Sequence, residues 1–322
     1  MGGNSSENPL VTCVITSYKR DKETVKRALD SVLSQTYSPL EIFIIDDNRG
    51  EGAEEYSRGL REIAKGKENV RVIKTERGNG AQRARNTGIE KAQGKYIAFL
   101  DDDDEWLPEK TGIQVELLEE NPDAGLCYAK GYLIDNTFNP PRIGCFKRGE
   151  NLKYEDLLLS DRIGTTTQAV IPKAVFEKVG MFDETLPARQ DYEMWLRITK
   201  EYRTVWSKEI LYKYYKEPGN DQTSHKWEKC LKGYELIHEK YRQDIDKNSS
   251  AKFNFVFHTA HHLMEGASAT GDRSLKLRAV KEYIRSFFIS PVDFLTQGKY
   301  FFRTVWRKIK FFFKRLRNNG KD

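Results

Sequence analysis

Short apolar runs rich in β-branched residues alternate with stretches whose apolar residues recur every three or four positions, and through the first hundred residues the alternation is regular. Leu10 to Thr16 reads as a buried strand. Val25, Ala28, Leu29, Val32 and Leu33 then mark one face of a helix that Gln35-Thr36-Tyr37-Ser38-Pro39 ends. Leu40 to Ile45 is a second buried strand. A helix from about Ala53 to Ala64 follows, then a strand from Val70 to Lys74, a Gly-rich turn at Gly78-Asn79-Gly80, a helix from Ala81 to Ala92 and a strand from Tyr96 to Leu100. Strands apolar on both sides belong to a parallel sheet covered by helices, so the pattern predicts an α/β fold: a doubly wound, mostly parallel sheet with helices on both faces. Beyond Pro108 the rhythm loosens into a helix to about Glu120, a strand near Leu126 to Ile134, a loop with Pro140-Pro141 and a short helix near Tyr154 to Leu159. Gln168 to Ile171 reads as strand, and Lys173 to Val179 and about Arg189 to Lys200 as helices. After Pro218 the chain reads as mainly helical, with no internal repeat.

Charge changes this picture at one end. The net charge is +6, yet from Gln297 onward nine Lys or Arg stand against Asp322 alone, which is +8 and leaves −2 for residues 1–296. The basic balance therefore belongs to the tail, and a nucleic-acid footprint spread over the fold is not expected. On a helix from Lys299 to Arg317, Phe302, Val305, Trp306, Ile309, Phe312, Phe313 and Leu316 fall on one side with Arg303, Arg307, Lys310, Lys314 and Arg317 opposite, the pattern of a helix lying on an anionic membrane surface. The same pattern would serve a helix packed on the body of the protein. The expected organisation is thus 1–9 disordered, 10–218 the sheet domain, 219–296 a helical region and 297–322 a membrane-surface helix. The N-terminus is no signal peptide and no apolar run reaches the length of a span, so a cytoplasmic protein peripheral on the inner face of the membrane is expected. Four scattered cysteines without a CxxC pair point to neither zinc nor disulfides.

The chemistry gathers at strand ends. Asp101-Asp102-Asp103-Asp104 follows the strand from Tyr96, and the carboxyl ends of parallel strands are where open α/β sheets bind ligands. Four adjacent carboxylates repel unless a cation is shared, which points to Mg²⁺ or Mn²⁺ held by one or two of them and by a substrate's phosphates; the plainer reading is a solvated acidic turn. Asp46-Asp47 and Thr16-Ser17-Tyr18 end two other strands on that edge, so a hydroxyl, an aromatic face and a carboxylate can meet around a base. An Asp accepts the N3–H of uracil and a Tyr stacks on the ring. Arg83 and Arg85 open a helix after the Gly-rich turn, within reach of a diphosphate. Neither a Walker loop nor a GxGxxG is present. Asp191 starts a helix whose apolar face holds Trp195, Leu196 and Ile198; it is either a cap or a general base for a hydroxyl. His258, His261 and His262 have metal-ligand spacing without a HExxH, and read more readily as surface or core residues.

Six ordered stretches carry a resemblance: Val14 to Arg20, Ser31-Val32-Leu33-Ser34-Gln35-Thr36-Tyr37, Glu41 to Asn48, Ala84-Arg85-Asn86-Thr87-Gly88-Ile89, Phe99 to Asp104 and Gln190 to Arg197. Over about residues 10 to 225 the chain resembles the family 2 glycosyltransferases of the GT-A fold. The resemblance implies inverting transfer from a nucleotide sugar, a UDP-sugar, by one displacement. It implies that Thr16, Tyr18 and Asp47 hold the uracil and that Asp102 touches the ribose or diphosphate. Asp101 and Asp103 of the Asp101-x-Asp103 motif would hold Mg²⁺ or Mn²⁺ with His225, and Asp191 would be the base. A transferase held at the membrane by its tail would meet a glycan or lipid-linked saccharide, which is the expected acceptor. Departures are Lys19 where the family often has Asn and Gln190 where it often has Glu. The Gln-x-x-Arg-Trp motif of processive members is missing, so addition of single residues is expected. The loop from Phe138 to Gly149 is expected to set donor choice, and Asp161 to Thr167 with the helical third the acceptor. Two rivals are a sugar-nucleotide pyrophosphorylase, disfavoured because Thr16 to Asp21 holds no Gly, and a non-catalytic membrane adaptor, disfavoured because Asp103 and Asp191 are present.

Overall fold

A computed structural model describes residues 8–76, 80–146, 149–217 and 226–297. Its first half follows the pattern read above: β1 (Val11–Ser17), α1 (Lys22–Leu33), β2 (Leu40–Asp46), α2 (Ala53–Ala64), β3 (Val70–Lys74), α3 (Ala81–Lys91) and β4 (Tyr96–Asp101). Next come β5 (Glu105–Trp106), α4 (Lys110–Glu119), β6 (Ala124–Asp135), β7 (Arg142–Cys145), α5 (Tyr154–Leu159), β8 (Val170–Pro172), α6 (Lys173–Val179), α7 (Gln190–Glu201) and β9 (Arg203–Lys216). Among the described residues these form one sheet in the order β3-β2-β1-β4-β8-β6-β9-β5, with β7 beside β6.

The sheet is parallel from β3 to β4 and again along β6–β9, and antiparallel where β8, β7 and β5 join. Alternation along each strand sorts the core into two layers. Val11, Cys13 and Ile15 of β1 pack with Val25, Leu29, Leu60 and Val115 from α1, α2 and α4. Val14 faces the other way, so close to α3 that a Cβ on Gly88 would lie 2.5 Å from it. On that second side Phe99 meets Phe176 and Phe182 edge-on at 6.2 and 5.5 Å. Helices therefore cover both faces, as the two-sided apolar strands require.

Four elements differ from expectation, and two of them, β5 and β7, are short strands where none was read. Gln168 opens no strand: Thr166–Gln168 is a 3₁₀ turn and the strand starts at Val170. The fourteen residues of β9 are invisible to a search for apolar runs, because Lys208-Glu209 interrupts them and the pairing with β6 shifts register near Ala129 and Lys130. A strand that bulges loses the period of two that advertises it.

The chain divides into two compact units, and the described part of the second, within Leu158–Ser160 and the chain from Thr223 on, is mainly helical. It contains α8 (Trp227–Lys240), α9 (Arg242–Asp246), α10 (Ser249–Thr270) and α11 (Arg273–Ile289). Leu231, Leu263 and Ala279 form its small core with Trp227 and Leu275. The histidines spaced for a metal pack here instead: His258 stacks on Tyr234 at 5.4 Å and His262 Nδ1 lies 2.8 Å from Glu265. Among the described residues no three His, Cys, Asp or Glu converge on a metal position. No described helix is long and apolar enough to cross a membrane. The basic tail, the turn residues Gly78 and Asn79, and His225 lie outside the described residues.

One side chain of the core is out of place by its chemistry. Lys110 is fully buried, its Nζ 4.1 Å from the Trp106 ring centre, with no hydrogen-bond partner. Burial pushes its ammonium down to about 7 from 10.5, with the thiols Cys13 and Cys127 nearby. Between those values the unfolded chain binds more protons than the folded one, so the lysine's cost shrinks, and stability rises, as pH climbs through that window. Lys110→Met, followed by urea denaturation at pH 7 and pH 9, is expected to raise the unfolding free energy by about 2 kcal/mol at pH 7 and to flatten the rise.

Candidate active site

Register sets the site. Thr16 pairs with Asp101 and Ser17 with Asp46, so three strand ends stop at one level, and the acidic tetrad continues from β4, next to the central β1. The four carboxylates then meet four different surroundings. Asp101 accepts from Arg85 Nη2 at 2.7 Å and from the Thr165 hydroxyl at 3.0 Å. Asp102 accepts from the Ser17 hydroxyl at 2.9 Å, the Tyr18 amide at 3.3 Å and Arg20 Nε at 3.1 Å. Asp103 receives Arg20 Nη2 at 2.9 Å, and its backbone carbonyl receives Arg27 at 2.7 Å. Asp104 is fully buried, held by the Thr167 hydroxyl at 2.6 Å and the Tyr215 amide at 3.2 Å.

These surroundings revise the electrostatics read from sequence. The tetrad is not bare: Arg20 and Arg85 face it from β1's loop and from α3. Burial raises the Asp102 carboxyl to about 6 against the pull of Arg20. Burial, with Asp103 and Asp101 beside it, raises Asp104 well above the ordinary carboxylate range, so Asp104 is a structural acid. Asp101 is the acid of the tetrad that stays partly exposed, whereas Asp103 is buried like Asp102, at 8 and 6% exposure.

Arg83 and Arg85 part company. Arg85 is nearly buried on Asp101, whereas Arg83 pairs with Glu184 at 3.1 Å, partly in solvent. Thr16 is half-buried at the end of β1 and Tyr18 stands 46% exposed beside it. Lys19 takes a left-handed φ of 50°, a conformation that Asn tolerates better, and its amide is caught by Asn48 Oδ1 at 2.8 Å. That turn presents the Tyr18 ring. Asp47 is buried, accepting from the Thr75 hydroxyl at 2.9 Å and the Gly80 amide at 2.8 Å, and burial raises its pKa.

Asp191 comes from far along the chain to the same place. It lies in the first turn of α7, its Oδ1 on the Tyr192 amide at 2.8 Å. Burial raises its pKa; Arg189 and Arg85 pull it down and Asp101 pushes it up, so it lies within electrostatic reach of the motif. The link is Asn86, whose amide donates to the Phe182 carbonyl at 2.9 Å and to Glu184 at 3.0 Å while its oxygen accepts from the Phe182 amide at 2.9 Å. One helix, α3, thus fixes Asp101 through Arg85 and the approach to α7 through Asn86. Glu193, on the same helix as Asp191, is fully buried against Arg197 at 2.9 Å.

Sequence reasoning missed Arg20, Asn86, Tyr56 and the threonines of the 3₁₀ turn. Tyr56 holds the loop after β1 through Ser17 at 2.8 Å and the Arg20 amide at 3.0 Å. Thr165 and Thr167, within the stretch expected to set acceptor choice, grip Asp101 and Asp104. The signal was their place beside a strand that pairs with β4.

Residues 12–180, just over half of the chain, match the model of the family described as Glycosyl transferase family 2. The chain is similar, at 29% identity over 237 residues, to the putative teichuronic acid biosynthesis glycosyltransferase TuaG of Bacillus subtilis, covering 72% of this chain and 88% of that one. It is 28% identical over 192 residues to the UDP-Glc:alpha-D-GlcNAc-diphosphoundecaprenol beta-1,3-glucosyltransferase WfgD of Escherichia coli, covering 60% and 70%. Some relatives are longer: the match spans 37% of an uncharacterized glycosyltransferase of Rickettsia bellii. Among solved structures, S. aureus TarS 1-349 in complex with UDP-GlcNAc superposes with a TM-score of 0.60 at 15% identity, covering 87% of this chain and 81% of that one, a likeness of fold.

Proposed function

The chain belongs to glycosyl transferase family 2, with its GT-A fold and its place in glycan biosynthesis, and on that premise we propose a specific reaction. It moves single sugar residues from a UDP-sugar to a hydroxyl of a lipid-linked or cell-surface saccharide, with inversion. The observation that carries this reading is the convergence of Asp101, Arg85 and Asp191, from β4, α3 and α7, at the carboxyl edge of the sheet. Asp191 takes the proton of the acceptor hydroxyl; its oxygen attacks C1 of the sugar, and the bond to UDP breaks on the opposite side. Thr16, Tyr18 and Asp47 hold the uracil. Asp102, its oxygens already engaged, bears on the ribose or diphosphate through Arg20 and the Tyr18 amide. Arg85 keeps Asp101 in position, and Arg83, released from Glu184, reaches the diphosphate.

Mg²⁺ or Mn²⁺ fits the residues present. The donors are carboxylate oxygens, suited to a hard cation, and Arg20 and Arg85 leave part of the tetrad's charge unbalanced. Asp101 and Asp103 would hold the ion together with the donor's phosphates, with His225 as a further ligand. The ion supplies charge stabilisation to the departing diphosphate. The name of the E. coli relative, with its diphosphoundecaprenol-linked acceptor, supports a lipid-linked acceptor here. With the basic segment 299–317 on the inner membrane surface, the enzyme would meet it as a peripheral cytoplasmic protein.

The test is UDP release from a panel of UDP-sugars with Mn²⁺ or Mg²⁺. Metal-dependent release of UDP from one donor, without pyrophosphate, is expected. Pyrophosphate would instead mark a pyrophosphorylase. Silence across the panel, with no UDP binding by calorimetry, would overturn the reading in favour of a non-catalytic role.

A further inference from the structure

The helical unit shows an apolar face that nothing in the described residues covers. Along α11, Ala279 and Ser286 are fully buried against the unit, while Leu277, Val280, Ile284, Phe287 and Phe288 are 71, 43, 55, 38 and 77% exposed. At 100° per residue those five fall within one arc opposite the buried pair. The stripe continues in Val292 and Leu295, 74 and 61% exposed. It is no frayed end: Asp293 accepts from Ser250 at 2.7 Å, Gln297 donates to Asn254 at 2.5 Å, and Phe294 packs on Phe257 and Phe287 at 6.2 and 5.5 Å. The segment after α11 is pinned by its inner side and presents its outer one.

The charge around the stripe selects its partner. α11 carries Arg273, Lys276, Arg278, Lys281 and Arg285 against Glu282 alone. Lys276 borders the arc on one side, Lys281 and Arg285 on the other. A second copy docked on this face would set like charge against like charge; an anionic surface would match it. Long basic side chains rimming exposed Leu, Ile and Phe are what a helix needs to lie between lipid headgroups and acyl chains. We propose that the outer face of α11, continued through Leu295, is a docking surface for an anionic lipid bilayer. The proposal rests on the peripheral-membrane reading given above and moves its anchor from the tail alone to a folded, rigid surface upstream of it. The tail's nine Lys or Arg against one Asp then add charge to an apolar contact already built.

Full-length protein is sedimented with vesicles of equal phosphatidylglycerol and phosphatidylcholine, and with phosphatidylcholine alone, at 0.1 M salt. Leu277→Glu/Phe288→Glu, at two exposed positions, is expected to weaken binding to the anionic vesicles by about 30-fold or more. Ile143→Glu, at a 72% exposed position on β7, is expected to leave it unchanged. Wild-type protein that stays in the supernatant overturns the proposal. So does a double variant that binds as wild type while Arg307→Ala/Lys308→Ala/Lys310→Ala releases, which would assign binding to the tail. A double variant that turns a dimer into a monomer by ultracentrifugation, with vesicle binding intact, would give the face to a second copy. UDP release from soluble donor, read in the same samples, reports on the transferase reading separately and is expected to survive the double variant.

Discussion

Asp191→Asn is expected to lower kcat for sugar transfer by about 10³-fold while leaving donor KM within about threefold. The reason is geometric and electrostatic at once. Asp191 sits in the first turn of α7, where its Oδ1 accepts the Tyr192 amide, a bond that the carbonyl oxygen of Asn can keep. The substitution therefore preserves the helix start and removes only basicity. The wild-type carboxyl is raised by burial, held back from rising further by Arg189 and Arg85. A raised pKa makes a stronger base, and it makes activity fall on acidification at a pH above the usual carboxylate range. The acid limb of kcat should vanish in Asp191→Asn. A variant with unchanged kcat, or one that loses UDP binding by calorimetry, would remove Asp191 from the role of base.

The parallel half of the sheet was legible because buried strands announce themselves: Leu40 to Asp46 has no polar residue between its ends except Glu41, and Glu41 is itself bonded to Thr12. The site was legible in part for the same reason, since strand ends follow from strands. The arginines were not. Arg20 lies in a loop whose path depends on a left-handed Lys19 and on Tyr56, a helix away in sequence. Asn86 works by reaching 96 residues along the chain to Phe182, a contact that no local pattern encodes. The repulsion inferred for four adjacent acids was sound physics applied to an incomplete list of charges. Once Arg20 and Arg85 are counted, the tetrad resolves into a partly exposed Asp101 held by Arg85, a buried Asp102 and Asp103 that share Arg20, and an Asp104 sealed in the core.

That division makes the second prediction specific. Asp103→Ala should cut metal-dependent UDP release by about 10²–10³-fold and weaken UDP binding in Mn²⁺ by about tenfold, measured by steady-state assay and calorimetry. The fold should tolerate it. Arg20 keeps Asp102 at 3.1 Å, so no guanidinium is orphaned, and Arg27 holds only the backbone carbonyl at this position. Asp104→Asn, one residue on, is the contrasting arm of the same experiment. Its carboxyl is buried and held well above the ordinary range, and an Asn can still accept from the Tyr215 amide and donate to the Thr167 hydroxyl. It should retain most activity. Each substitution removes one carboxyl group, and on the proposed reading only the Asp103 carboxylate helps to stabilise the departing diphosphate. Equal losses from both variants would mean that the tetrad acts as a structural turn, and that the departing UDP is neutralised elsewhere.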